Sequence, residues 1–134
     1  MPFLIDTNVA IYLRDGNPSI IAQLDELSAR PQMSILTQVE LEGGVYRSPE
    51  STAKRRAAVD ALLASMKVHD FDTPAAAAYR DILAATGYVR SRVTDRMIAA
   101  TAIVHGLTLI TINGADFRDI PGLSLEIWPS PTAQ

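Results

Sequence analysis

Hydrophobic residues fall along this chain in two rhythms. Short apolar runs alternate with longer stretches in which apolar residues recur every three or four positions. The first rhythm predicts strands buried on both faces, and the second predicts amphipathic helices. Phe3-Leu4-Ile5 is the first run. It stops at Asp6-Thr7-Asn8, and a helix starts at Val9. Asp15-Gly16-Asn17-Pro18 is a turn cluster, after which Ile20, Ile21, Leu24 and Leu27 keep helical spacing as far as Arg30-Pro31. A second strand is expected at 33–36 and a helix at 37–46. Another helix starts near Pro49, with Val59, Leu62, Leu63 and Met66 as its apolar stripe. A third strand at 67–71 leads to a helix opened by Asp72-Thr73-Pro74, because proline suits a first helical turn. A basic loop at 87–93 precedes a helix at 94–105 that Gly106 ends. Strands at 107–112 and 123–128 follow, then a frayed tail at 129–134.

Strands that alternate with helices and are apolar throughout form a parallel sheet covered on both faces. The expected fold is therefore α/β, a three-layer α/β/α sandwich around a central, mainly parallel sheet. A single domain spans 1–134, and no internal repeat or linker interrupts it.

Composition narrows the chemistry. Apolar residues make up 48% and charged residues 20%, as in ordinary globular chains. There is no cysteine, which excludes disulfides, thiolate metal sites and a cysteine nucleophile. The opening residues lack the basic and apolar regions of a signal peptide. The longest apolar stretch, 97–112, is broken by His105-Gly106 and falls short of the ~20 residues a membrane span needs. A soluble, cytoplasmic protein is expected. The net charge of −3 argues weakly against a nucleic-acid partner. Setting four of the 15 acids aside for a metal site leaves 11 against 12 bases.

Those four acids are Asp6, Glu40, Asp95 and Asp116. Asp6 and Asp116 follow predicted strands, and Glu40 lies in the first turn of the helix after the second strand. In an open parallel sheet such positions collect at the carboxyl edge, where ligands bind. Asp95 joins them only if its helix points its N-terminus at the same edge. Each acid also has an ordinary structural reading. Thr37-Gln38-Val39-Glu40 is a capping box, Thr94-Asp95 is a helix opening, and Asn113-Gly114 is a turn. Taken together, four carboxylates at one edge would repel one another without a counter-ion. Oxygen ligands without sulfur or nearby imidazole suit Mg²⁺ or Mn²⁺, one ion or two. Arg90, Arg92 and Arg96 flank Asp95 as a cationic rim suited to a polyphosphate substrate. Lys54-Arg55-Arg56 reads as a solvated helix face, Glu42 as a solvent-exposed acid, and His69 as a structural or exposed residue without a partner.

The segments 4–8, 37–41, 95–102 and 107–113, with Asp116-Phe117, resemble the PIN domain, most of all the VapC-type toxins of bacterial toxin–antitoxin pairs. The likeness runs from about residue 3 to about residue 128. It implies a metal-dependent ribonuclease for single-stranded RNA, with Asp6, Glu40, Asp95 and Asp116 as catalytic metal ligands. Thr7, Asn8, Thr111 and Asn113 match supporting polar positions. It also implies dimerisation and inhibition by a cognate antitoxin. One segment departs from the pattern: 88–94 carries two arginines where many relatives have a glycine-led apolar stretch. Two other acid-edge folds do not fit. A receiver domain needs adjacent acids after its first strand and a lysine near its end, and no lysine follows Lys67. A haloacid-dehalogenase-like phosphatase needs an aspartate where Asn8 stands. An inactive PIN-like binding module remains the alternative from another class.

Overall fold

The computed structural model describes residues 2–131. Five strands form one sheet: β1 (Phe3–Ile5), β2 (Gln32–Ser34), β3 (Val68–His69), β4 (Thr108–Thr111) and β5 (Leu125–Ile127). Their order is β3-β2-β1-β4-β5, and every neighbouring pair is parallel. Six helices connect them: α1 (Thr7–Arg14), α2 (Pro18–Asp25), α3 (Ile35–Val45), α4 (Thr52–Ser65), α5 (Thr73–Thr86) and α6 (Val93–His105).

Side chains leave a strand alternately to its two faces. Phe3, Ile5 and Ile110 join Val9, Ala10, Leu41 and Val59 in a core beneath α1 to α4. Leu4 and Leu109 point the other way, into a core with Ile82, Ile98 and Phe117 beneath α5 and α6. The three-layer sandwich expected from the apolar runs is the observed fold. The chain builds outward from β1 to β2 and β3, then crosses back to place β4 on the other side of β1. That reversal opens a crevice at the carboxyl ends of β1 and β4.

Several boundaries differ from expectation, each for a local reason. Ile35 and Leu36 belong to α3, because the Ser34 hydroxyl accepts the Leu36 amide and caps the helix two residues into the apolar run. Thr37 is therefore inside the helix, the capping box does not form, and Glu40 sits in the second turn. Asp6 is the N-cap of α1, so that helix starts at Thr7. The basic loop holds a 3₁₀ turn, Arg90–Arg92, that runs into α6 at Val93. Strand β3 has only two residues, and His69 is not exposed. It is buried, bonds Gln32, and stacks on His105 with ring centroids 4.1 Å apart. Burial, then the neighbouring His105, holds its pKa below the usual histidine value. Of the tail, residues 129–131 have no regular structure, and 132–134 lie outside the described residues.

Ile98 is fully buried at the centre of the α5–α6 core, whereas Ile127 on the edge strand is 42% exposed. Ile98→Ala should cost ~2–5 kcal/mol in urea unfolding, and Ile127→Ala should stay within about 0.5 kcal/mol of wild type.

Candidate active site

Asp6 leaves β1 at the crevice. Its main-chain N–H donates to the Ile110 carbonyl at 3.1 Å and extends the β1–β4 ladder by one step. Its carboxylate is 3% exposed and held twice. Oδ1 accepts the Val9 amide at 3.0 Å, and Oδ2 accepts the Thr111 hydroxyl from the end of β4 at 2.6 Å. Because Thr111 gives its proton to Asp6, its oxygen is the acceptor for the Asn113 amide at 2.9 Å. Asn113 thus supports the site through its main chain.

Glu40 comes from α3, and its Oε1 accepts the Thr7 hydroxyl at 2.5 Å. Thr7 lies 3.1 Å from the fully buried Thr37 hydroxyl. With its own proton committed to Glu40, Thr7 accepts from Thr37. The relay from Thr37 through Thr7 to Glu40 is a support that the sequence reading assigned only in part, since it placed Thr37 as a helix cap.

Asp95 stands in the first turn of α6. A helix that returns the chain to a parallel strand begins at the carboxyl edge of the sheet, so α6 presents Asp95 to the same crevice. It is not a cap: α6 has no side-chain cap bond, and among the described residues the Asp95 carboxylate accepts no hydrogen bond. Burial raises its pKa to about 6, helped by the charges of Asp116, Asp6 and Glu40 and opposed by Arg92. Burial likewise raises the Asp6 pKa, against the lowering bonds from Thr111 and Val9, with Asp116 and Glu40 adding repulsion. Asp116 closes the 3₁₀ turn Gly114–Asp116 beyond β4. Arg92 Nη1 lies 3.5 Å from its carbonyl oxygen and 4.0 Å from its Oδ1.

The crevice is a cleft of about 300 Å³ lined by Asp6, Glu40 and Asp95, with Thr7 and Asn8 at its wall. Asp116 is outside that lining and acts on it through its charge. Among the described residues no three carboxylates are already gathered into a closed ligand set. They ring the cleft, with Glu40 turned toward Thr7. An all-oxygen donor set in which the neighbouring acids add to the raised pKa of Asp6 and of Asp95 fits a hard divalent cation.

The three arginines separate. Arg90 is exposed, and Arg92 is half-buried at the rim beside Asp116. Arg96 is only 2% exposed, and its guanidinium donates to the Gly87 carbonyl at 2.8 Å and approaches Asp119 at 3.5 Å. The expectation that Arg96 contacts phosphate is corrected: consecutive helical residues point to different faces, so next to Asp95 it braces the end of α5. Glu42 is paired with Arg56, at 2.6 and 2.9 Å. The cleft's own cations are Arg14, Arg47 and Arg55. They come from three separate parts of the chain, and no local sequence pattern joins them.

A group whose folded pKa is raised stabilises the fold at low pH and loses that contribution as pH rises through the folded value. Metal-free protein should therefore lose stability as pH climbs from about 4 through about 6, and Asp95→Asn should flatten that slope. Thermal melts in EDTA across this range check it.

The PIN domain family model matches residues 3–123. The tRNA(fMet)-specific endonuclease VapC of Salmonella typhimurium is 32% identical, over 96% of this chain and 98% of its own. Ribonuclease VapC2 of Rickettsia felis is 28% identical over the same shares. Among solved structures, VapBC2 from Rickettsia felis bound to a promoter DNA fragment superposes with a TM-score of 0.84, at 28% identity, over 96% of this chain and 99% of that one. The DNA-bound VapBC from Salmonella typhimurium gives a TM-score of 0.82 at 31% identity, over 96% and 98%.

Proposed function

The chain belongs to the PIN domain family, and from that premise we propose that it is an endoribonuclease cleaving single-stranded RNA, the toxin of a toxin–antitoxin pair. The observation that carries this reading is the cleft lined by Asp6, Glu40 and Asp95, with Asp116 set back beyond it, the Asp95 pKa raised to about 6 and Asp6 clamped at the β1–β4 crevice. Relatives matching 96% of the chain are named as ribonucleases and endonucleases, which supports the activity.

Asp6, Glu40 and Asp95 are the residues that would hold Mg²⁺ or Mn²⁺, and Asp116 would bind through water or take a second ion. When bound, the ion lowers the pKa of the attacking water and neutralises charge on the phosphate and leaving oxygen. The chain supplies position. Thr111 fixes the rotamer of Asp6, and Thr7, itself oriented by Thr37, fixes that of Glu40. Asn8 lines the cleft wall. Arg92 offers a cation at the rim on the Asp116 side. An Arg or Lys from a cognate antitoxin would pair with the same carboxylates and block the cleft. Homodimerisation in the cytoplasm completes the proposal.

RNA cleavage should require Mg²⁺ or Mn²⁺ and stop on chelation, and Asp95→Asn and Glu40→Gln should collapse it. Full activity after exhaustive EDTA dialysis would contradict the reading, and binding without any cleavage would favour an inactive module.

Removing the Thr111 hydroxyl takes away a bond that lowers the Asp6 pKa. Thr111→Val should cut activity ~10–100-fold and move the acid limb of the pH–rate profile upward, which a merely structural threonine would not do.

A further inference from the structure

A second cavity adjoins the acidic cleft and shares Arg14 and Arg55 with it. It measures about 250 Å³ and is lined further by Lys54, Ser51 and Asp15. Arg47 stands on the cleft side. Four cations, Arg14, Arg47, Lys54 and Arg55, thus line the two joined hollows, and Asp15, the one acid lining the second, is already engaged. The Arg14 side chain is only 6% exposed, and its Nε and Nη2 meet Asp15 at 2.9 and 3.2 Å. Its Nη1 has no hydrogen-bond partner among the described residues and faces Gly44, where an added Cβ would stand 2.8 Å from it. Arg55 Nη1 donates to the Gly44 carbonyl at 2.8 Å. Gly43-Gly44 is a poor pair for a helix interior, and at Gly44 the missing side chain makes room for the Arg14 guanidinium.

Helix C-termini attract cations, and one bond from Arg55 meets that need at the end of α3. It does not account for the gathering of Arg14, itself paired with Asp15, with Arg47 and Lys54 at the junction of two hollows. We infer that this groove carries the phosphates of single-stranded RNA flanking the scissile bond, so that the strand leaves the carboxylate ring between α1, α3 and α4. The inference rests on the nuclease reading and assigns that site its substrate track. Planar guanidinium groups match phosphate oxygens in pairs, and a row of cations holds a single strand irrespective of sequence.

The test reads binding without cleavage. A fluorescently labelled single-stranded RNA is titrated in EDTA at several salt concentrations. The double variant Arg47→Gln/Lys54→Gln, both at exposed positions, should bind more weakly and reduce the magnitude of the salt slope by about 1.4, two phosphates at ~0.7 each. Arg30→Gln/Arg80→Gln, also exposed, removes the same charge away from the groove and should leave the slope unchanged. Gly44→Ala should weaken binding as well, through displacement of Arg14. A slope insensitive to Arg47→Gln/Lys54→Gln, or wild-type protein that binds no RNA, overturns the inference. So does a groove that loses an acidic peptide, but not RNA, on the same substitutions. Loss of slope in a protein that never cuts RNA upholds the groove and rejects the nuclease reading alone.

Discussion

One side-chain hydrogen bond ties β1 to β4 at the crevice. The Thr111 hydroxyl, at the end of β4, donates to Asp6, at the end of β1, across 105 residues of chain. Both groups are buried. A buried carboxylate is costly unless it is bonded, and Asp6 meets that demand with Thr111 and the Val9 amide. The same two bonds fix where its oxygens point. Strand order requires this arrangement: only at the reversal between β1 and β4 does the carboxyl edge open into a crevice.

The remaining acids reach that crevice by different routes. Glu40 arrives from the second turn of α3, steered by hydroxyls rather than by charge. Asp95 arrives unbonded at the start of α6, and burial, with repulsion from its neighbours, raises its pKa to about 6. Asp116 is set back, with Arg92 beside it. The centre is therefore strained electrostatically and ordered sterically. Such a centre gains most from a cation and has least to lose from a charge-removing substitution when no cation is present. The cationic groove between α1, α3 and α4 answers the other half of the problem, because an anionic strand must approach an anionic ring.

Much of this was legible in the sequence. Apolar runs alternating with helical periodicity specify a covered parallel sheet, and that pattern places Asp6 at the end of one strand and Asp116 in the loop beyond another. The β2–α3 junction was not legible, because Ile35 and Leu36 suit either element and the Ser34 hydroxyl decides between them. Asp95 was ambiguous between cap and ligand by spacing alone; the structure shows that it caps nothing. Arg96 was misplaced because proximity in sequence to Asp95 does not survive one helical step. The sequence leaves Arg14 and Arg47 unmarked and reads Arg55 as part of a solvated helix face, because tertiary packing, not periodicity, brings the three together.

The central claim is that burial of these carboxylates, together with their mutual repulsion, creates the need that a divalent ion satisfies. Isotope-edited NMR titration of the Asp95 side-chain carboxyl, with EDTA and with saturating Mg²⁺, tests it most directly. The account predicts a midpoint near 6 without metal, and a midpoint pushed well below that once Mg²⁺ is present. An ordinary aspartate midpoint in EDTA, or a raised midpoint that Mg²⁺ leaves unmoved, would contradict it.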